Sequence, residues 1–192
     1  MSVVGLFGGS FNPPHRAHRL LAELAVRELG LDELIVMPAG APWQKSGSEL
    51  ASGAHRVAMA ELAFAGLARV RVSRHEVEQA GPSVTVDTLR ALQPPGARWW
   101  LVIGQDQYAR LSTWCEPQEL LRRCHLAVAA RAGQAVEADP TLPPHERRVL
   151  PLPPDPVSAT QLRAALKRHE DITPLVGTAV AGYIAQHSLY GA

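Results

Sequence analysis

Short apolar runs alternate with amphipathic segments along most of this 192-residue chain, and that alternation restricts the possible folds more than any other feature. Residues 2–7 form an apolar run with the length of a buried strand, residues 15–29 carry apolar side chains at helical spacing, and residues 34–37 form a second run. This order predicts two parallel strands joined by a right-handed helical crossover. Further helices are predicted at 56–66, 86–92 and 117–123, and further strands at 70–73, 99–103 and 126–130.

The alternation predicts an α/β fold, a Rossmann-like open parallel sheet with helices on both faces, in a single domain that spans residues 1–192. Residues 132–145 are rich in alanine, proline and charge, which favours a surface loop. Residues 151–156 hold too many prolines for a helix, so we expect an extended segment there. A C-terminal helical part is expected at about 157–192. Its predicted helices are 159–169 and 174–187.

The charge and composition of the chain exclude several classes of partner. Lys and Arg number 19 against 18 Asp and Glu, and this net charge of +1 argues against broad binding to nucleic acid. No apolar run approaches the ~20 residues of a membrane span, and nothing resembles a secretory signal. The cysteines and histidines show no metal-binding spacing, which indicates reduced thiols and no protein metal site. We expect a cytoplasmic monomer or small homo-oligomer that binds anions through a few local groups.

A glycine turn with two histidines follows the first predicted strand and opens the first helix. Gly8 and Gly9 allow the backbone to turn sharply and to approach a ligand closely. Ligands bind at the carboxyl ends of parallel strands, and a helix N-terminus offers N–H groups that suit phosphate. His15 and His18 share one helix face, where both imidazoles can donate hydrogen bonds to phosphate and carry charge near neutral pH. The alternative is an ordinary glycine turn before a helix with two exposed histidines.

A second anion site is predicted where the proline-rich segment ends. Ser158 is suited to cap the following helix, Thr160 lies in its first turn, and Arg163 can add a forked donor that is always charged. The N–H groups and the dipole of the helix start add to these side chains. An ordinary capped helix would explain the same residues.

Single residues elsewhere also suit ligand binding. Lys45 could place a mobile positive charge on a phosphate. The alternative is that Lys45 is a solvent-exposed lysine in a loop. Thr85 lies at a predicted helix start, where N–H groups suit a carboxylate. Asp106 follows Gly104 at the end of a predicted strand, where it could accept hydrogen bonds from ribose or cap a helix. Trp114 could stack on an aromatic ring or pack in the core.

Several of these strings resemble one superfamily. Residues 8–18 (GGSFNPPHRAH) resemble the GG[S/T]FDPxHxGH motif of the nucleotidyltransferase α/β-phosphodiesterase superfamily. Residues 157–163 (VSATQLR) are similar to its ISSTxIR motif, and residues 103–106 (IGQD) to its IGxD motif. Residues 81–89 (GPSVTVDTL) resemble the GPSYTVDTL segment of the branch that uses nicotinate mononucleotide. The departures from these patterns are Asn12, Ala17, Val84 and Ala159.

The resemblance implies an enzyme that transfers the adenylyl group of ATP to nicotinate mononucleotide, with Mg²⁺ entering on ATP. The products would be nicotinate adenine dinucleotide (deamido-NAD) and pyrophosphate, in NAD biosynthesis. Catalysis is assigned to His18, with His15 beside it, and Trp114 would stack on the pyridine ring. The implied ATP-binding residues are Gly8, Gly9, Ser10, Phe11, His15, His18, Lys45, Gly104, Asp106, Ser158, Thr160 and Arg163. The implied nicotinate-mononucleotide-binding residues are Ser10, Lys45, Thr85 and Trp114.

The sequence leaves three alternative functions open. The acceptor could be nicotinamide mononucleotide, since only the resemblance favours the nicotinate. A phosphopantetheine adenylyltransferase is the second, although such enzymes usually have threonine in place of His15 and lack the 81–89 segment. A non-catalytic nucleotide-binding module is the third, and Ala17 and Ala159 are the departures that favour it.

Overall fold

The structure is a computed structural model that describes residues 1–40, 50–131 and 135–192. These residues contain a six-stranded sheet in the order β3-β2-β1-β4-β5-β6, and every neighbouring pair is parallel. The strands are β1 (Val3–Gly9), β2 (Glu33–Pro38), β3 (Val70–Val72), β4 (Arg98–Gly104), β5 (His125–Arg131) and β6 (Arg147–Leu152). The predicted open parallel sheet is confirmed, and the strand order changes direction between β1 and β4.

Helices connect most of the strands, as the alternation predicts. They are α1 (Arg16–Leu29), α2 (Gly53–Phe64), α3 (His75–Glu78), α4 (Thr85–Leu92), α5 (Gln105–Tyr108), α6 (Pro117–Arg123), α7 (Ala159–Lys167), α8 (Thr173–Val176) and α9 (Thr178–Gln186), with 3-10 turns at Leu111–Thr113 and Leu189–Gly191. Helix α1 ends at Gly30, whose φ of 61° is a left-handed conformation that glycine adopts easily. Within the described ranges, every helix is too short or too polar to span a bilayer.

Side chains alternate along the strands and form an apolar core on each face of the sheet. On one face, Phe7, Val36 and Val102 pack with α1 and α2. On the other face, Leu6 and Leu101 pack with α4 and α6. Burial on both faces explains why β1, β2 and β4 are mainly apolar runs in the sequence. The prediction of helices on both faces is confirmed.

The C-terminal helices form a third apolar cluster against α2. Leu162 of α7 and Ile184 of α9 are buried together with Met59 of α2. The single helix predicted at 174–187 is wrong in one respect, because Gly177 has a φ of 85° and separates α8 from α9. A residue in that conformation cannot continue a right-handed helix.

The strand β6 is absent from the sequence-based prediction, which places only an extended segment at 151–156. Of its apolar side chains, Leu150 is fully buried whereas Val149 is 45% exposed, so little apolar pattern marks the strand. It lies at the edge of the sheet and pairs on one side with β5. An edge strand tolerates Pro151, because a residue without an N–H loses no hydrogen bond on the open side.

Candidate active site

The carboxyl ends of β1, β2 and β4 open onto a cavity of about 900 Å³. The ends of β1 and β4 flank the point where the strand order changes direction, which is the usual ligand position in an open parallel sheet. Among the predicted site residues, those that line the cavity are Gly8, Gly9, Ser10, Phe11, His15, His18, Thr85, Gly104, Asp106, Trp114, Ser158 and Thr160. Arg163 lies behind this lining and contacts it, and Lys45 lies outside the described residues.

The loop that follows β1 is supported by aromatic packing. Phe11 has a φ of 46°, a left-handed conformation uncommon for a residue with a side chain, and its ring is buried. The ring meets Phe7 edge-on with 5.4 Å between centroids and Phe64 with 5.7 Å. A Cβ on Gly9 would lie 3.1 Å from the ring of Phe11, so a glycine suits this close approach. The packing of Phe11 offsets the backbone strain and directs the loop into α1.

His15 and His18 stack at the start of α1, and one hydrogen bond sets the tautomer of His18. Their ring centroids lie 3.8 Å apart with 28° between the planes. The backbone N–H of His15 donates to Nδ1 of His18 over 3.1 Å. Because Nδ1 accepts this bond, a neutral His18 carries its proton on Nε2. The imidazole of His18 is therefore a donor through Nε2 even without a charge.

His15 is 8% exposed, and its Nδ1 has no hydrogen-bond partner among the described residues. Burial lowers the pKa of His15 to about 4, while the charge of Asp155 opposes this shift and that of Arg16 adds to it. His15 is therefore uncharged near neutral pH, and the expectation of charge on both histidines is wrong for this one. A buried nitrogen without a partner in a cavity wall suits a ligand that supplies the partner.

The start of α7 reaches the same cavity from the far end of the chain. The hydroxyl of Ser158 caps α7 by accepting a hydrogen bond from the backbone N–H of Gln161 at 3.3 Å. Arg163 donates from Nη1 to the carbonyl of Asn12 at 2.9 Å and from Nη2 to the hydroxyl of Thr160 at 3.4 Å. Its guanidinium thus joins the loop after β1 to the first turn of α7.

An ion pair makes a second connection between the two helix starts. Arg16, the first residue of α1, donates two hydrogen bonds to the carboxylate of Asp155, at 2.7 and 3.0 Å. The same carboxylate accepts a bond of 3.0 Å from the backbone N–H of Val157, just before α7. The hydrogen bonds from Arg16 are the main reason that the pKa of Asp155 is lowered. The two anion-binding helix starts predicted from sequence therefore lie side by side on one cavity.

Arg56 of α2 is a supporting residue that the sequence analysis did not single out. The side chain is 1% exposed and donates three hydrogen bonds to backbone carbonyls. These go from Nη1 to Ser10 at 3.0 Å, from Nη2 to Gly40 at 3.0 Å and from Nε to Ala51 at 2.9 Å. Arg56 thus fixes the loops after β1 and β2 relative to each other. The signal in the sequence is a single arginine at the edge of an apolar helical pattern.

Glu76 of α3 is a second residue missed by the sequence analysis. The side chain is buried, lines the cavity, and accepts a hydrogen bond of 2.6 Å from the hydroxyl of Thr88. Burial raises the pKa of Glu76, while hydrogen bonds from Thr88 and Ser83 oppose the shift. Ser83 in turn accepts a bond of 2.7 Å from the backbone N–H of Gly40. This network holds the start of α4 against the loop after β2, and no sequence pattern distinguishes Glu76 from an exposed acid.

The start of α4 provides a third helix N-terminus on the cavity wall. Thr85, the first residue of α4, lines the cavity together with Asp106 and Trp114. Trp114 is partly buried and packs against the core while it also faces the cavity, so both interpretations of this tryptophan apply. The described lining contains no lysine or arginine. Among the described residues of this wall, the groups suited to an anion are therefore helix starts, hydroxyls and imidazoles.

The described acids that line the cavity do not form a metal cage. Within the described parts of the chain, no three His, Cys, Asp or Glu side chains are grouped to hold a metal ion. The described acids in the lining are Glu76, which two hydroxyls already engage, and Asp106. This donor set fits a divalent ion that is held mainly by the phosphate oxygens of a ligand.

A family profile and individual relatives both match most of this chain. The profile of the cytidylyltransferase-like family matches residues 6–165. A "probable nicotinate-nucleotide adenylyltransferase" of Methylibium petroleiphilum is 46% identical, with 97% of this chain and 92% of that protein covered. One of the same name from Albidiferax ferrireducens is 43% identical, with 99% and 98% covered.

Solved structures resemble this one over almost the whole chain. The Plasmodium falciparum nicotinic acid mononucleotide adenylyltransferase complexed with NaAD has a TM-score of 0.79 at 18% identity, with 99% of this chain and 98% of that chain covered. The same enzyme complexed with APC gives a TM-score of 0.77 at 16% identity and the same coverage. At such low identity these structures support the fold alone.

Proposed function

The chain belongs to the cytidylyltransferase-like family, and we propose that it is a nicotinate-nucleotide adenylyltransferase, an enzyme that transfers the adenylyl group of ATP to nicotinate mononucleotide. The products are nicotinate adenine dinucleotide and pyrophosphate, and the reaction belongs to NAD biosynthesis. The observation that carries the proposal is the meeting of the starts of α1 and α7 on one cavity, with His15, His18 and Ser158 in its wall. The names of relatives that match nearly the full chain support the choice of acceptor.

We propose that ATP lies across the ends of β1 and β4, with its phosphates between α1 and α7. The N–H groups of both helix starts and the hydroxyls of Ser158 and Thr160 would bind phosphate oxygens. Arg163 supports this end through Asn12 and Thr160, and its direct contact with ATP stays a prediction. The remaining proposed ATP-binding residues are Gly8, Gly9, Ser10, Phe11, His15, His18, Gly104 and Asp106, together with Lys45, which lies outside the described residues.

The proposed chemistry is a direct, in-line displacement. The 5′-phosphate of nicotinate mononucleotide attacks the α-phosphorus of ATP, a new P–O bond forms, and the bond to the pyrophosphate oxygen breaks. No protein nucleophile is needed, so catalysis depends on alignment and on stabilising negative charge. The Nε2–H of His18, fixed by the bond from the His15 backbone to Nδ1, can donate to the α-phosphate oxygen as its charge develops. His15 offers a second, uncharged imidazole beside it.

We propose that the acceptor occupies the side of the cavity near α4. The N–H groups at Thr85 would bind the pyridine carboxylate, with Glu76 and Ser83 holding that helix start in place. The cavity-facing ring of Trp114 would stack on the pyridine. Ser10 and Lys45 are the other proposed contacts of nicotinate mononucleotide, and of these Ser10 lines the cavity.

We propose Mg²⁺ as the divalent ion. It would be held by the phosphate oxygens of ATP, with Asp106 as the described cavity acid that could contribute through water. When bound, the ion would neutralise charge on the triphosphate and stabilise the leaving pyrophosphate.

The extent of the domain, the cellular location and the oligomeric state are also proposals. We propose one domain over residues 1–192, whose C-terminal helical part at about 157–192 packs on α2 through Leu162 and Ile184. A cytoplasmic location and a monomeric or small homo-oligomeric state remain predictions from composition.

A pyrophosphate-release assay with ATP and Mg²⁺ tests the function. Nicotinate mononucleotide, nicotinamide mononucleotide and phosphopantetheine are offered separately, and we expect release with the nicotinate at the highest kcat/KM. Release mainly with either other acceptor would assign the chain to that activity. No release with any acceptor, despite ATP binding, would show a non-catalytic nucleotide-binding module.

His18→Ala tests the catalytic assignment in the same assay. Losing one donor aimed at developing charge is expected to lower kcat by about a hundredfold or more, with the fold intact. The matched control is His75→Ala, because His75 bonds to Gln79 and lies outside the cavity lining. A His18→Ala enzyme with wild-type kcat would contradict the assignment.

A further inference from the structure

The last turn of the chain reaches the loop that follows β1. Tyr190 lies in the 3-10 turn Leu189–Gly191, and its hydroxyl donates to Oδ1 of Asn12 over 2.6 Å, across 178 positions of sequence. This distance lies within the normal range for a hydrogen bond from a hydroxyl to an oxygen. A residue near the end of the chain thus touches the segment that joins β1 to the two histidines.

Asn12 is the point where this loop is held from several sides. Its side chain is buried and lines the cavity. Besides the bond from Tyr190, Oδ1 accepts a bond of 3.0 Å from the backbone N–H of Ala51. Its backbone carbonyl accepts the bond from Arg163 at 2.9 Å. The position of Asn12 therefore sets where the loop runs before it enters α1.

The conformation of the tail indicates that the contact is specific. Tyr190 has a φ of 61° and Ser188 a φ of 48°, both in the left-handed region that side chains disfavour. Such strain persists only where surrounding contacts hold it. Leu189 and Tyr190 pack against the cluster of α2, α7 and α9. Burial raises the pKa of the Tyr190 hydroxyl, so it keeps the proton that it donates to Asn12.

We propose that Tyr190 is a positioning residue of the nucleotide-binding loop, which it holds in place through the side chain of Asn12. This inference rests on the proposed function, because it assigns the phosphate end of the cavity to ATP. Tyr190 itself is outside the cavity lining, so it acts on the nucleotide through the loop. The loss of its hydroxyl weakens ATP binding more than binding of the acceptor mononucleotide.

The test compares Tyr190→Phe with Tyr183→Phe. Tyr183 lies in the same C-terminal part, and its hydroxyl bonds to Nδ1 of His55 at 2.9 Å, so each change removes one buried or half-buried hydrogen bond. Affinity is measured by calorimetry with a non-hydrolysable ATP analogue, which makes the result independent of the acceptor. We expect Tyr190→Phe to weaken binding about fivefold, the factor that one ordinary hydrogen bond supports, and Tyr183→Phe to change it less than about twofold.

Steady-state kinetics and melting temperatures complete the comparison. For Tyr190→Phe we expect a raised KM for ATP, a nearly unchanged KM for the mononucleotide, and a melting temperature similar to that of Tyr183→Phe. Equal losses of affinity in both variants would overturn the proposal, because they would show a general loss of stability. Wild-type affinity in Tyr190→Phe would overturn it as well. A wild-type protein that binds the analogue but releases no pyrophosphate would contradict the proposed function and leave this comparison valid.

A double-mutant cycle tests the route through Asn12. In an Asn12→Ala background, Tyr190→Phe is expected to cause no further loss of affinity for the analogue, because the bond it removes is already gone. Tyr183→Phe should keep its small effect in that background. A full fivefold loss from Tyr190→Phe in Asn12→Ala would overturn the route through the side chain.

Discussion

The two histidines of the first motif occupy adjacent positions in the cavity wall but have different chemistry. The sequence predicts their shared helix face, and the stacked rings agree with it. Neither the low pKa of His15 nor the tautomer of His18 can be predicted from sequence. The first depends on the burial of His15 in the folded chain, and the second on one backbone hydrogen bond at the start of α1.

At the residue scale, the stability of the protein should depend on pH through His15. Its pKa falls from 6.5 to about 4 on folding, so in this window the unfolded chain binds a proton that the folded chain does not. The free energy of unfolding should therefore decrease as pH falls from about 6.5 to 4, by up to about 3 kcal/mol from this residue.

Urea unfolding of wild type and of His15→Gln at several pH values measures how much of the pH dependence of the unfolding free energy comes from His15. The variant should lose less stability than wild type across the window. His169→Gln is the matched control, because His169 is exposed. A parallel pH dependence in wild type and His15→Gln would contradict the prediction.

Among the elements, α1 and α7 were predictable because capping residues and motifs mark their starts. The short helix α3 and the strand β6 were not, since their buried side chains, Glu76 and Leu150, are single residues without a periodic pattern. The supporting role of Arg56 could not be predicted either. Its partners are backbone carbonyls in loops that no sequence pattern places together. Motifs thus identify groups that face a ligand more readily than groups that support them.

At the scale of elements, Arg56→Lys tests whether α2 holds the loops after β1 and β2. A lysine ammonium cannot match the three forked bonds, so at least one buried carbonyl loses its donor. We expect a loss of about 2 kcal/mol or more in the free energy of unfolding, measured by urea denaturation. Arg74→Lys, in an exposed pair with Glu61, should cost less than about 0.5 kcal/mol. Similar losses in the two variants would show that Arg56 has no special structural role.

For the whole molecule, the alternation of elements was sufficient to predict an open parallel sheet, and the motifs predicted that residues from both ends of the chain would share one cavity. The order of the strands was not predicted, because pairing depends on how the cores of both faces fill. The contacts that join the ends, from Arg16 to Asp155 and from Arg163 to Asn12, also lie beyond sequence patterns.

At this scale, Asp155→Asn tests the connection between α1 and α7. The change keeps the shape of the side chain but removes the charge that pairs with Arg16. We expect a KM for ATP about threefold higher, because the two helix starts are less firmly held together, with little change in melting temperature, since the pair is partly exposed. Glu61→Gln, which breaks the exposed pair with Arg74, is the control. Unchanged ATP kinetics in Asp155→Asn would contradict this role.

The hydrogen bonds to Asn12 have a consequence for how the protein is made. Its donors Arg163 and Tyr190 lie 151 and 178 positions further along the chain. A ribosome therefore delivers the glycine loop and both imidazoles long before the residues that hold them. We expect a nascent chain halted before position 158 to bind a nucleotide weakly, because Arg163 and Tyr190 have not yet been added to it.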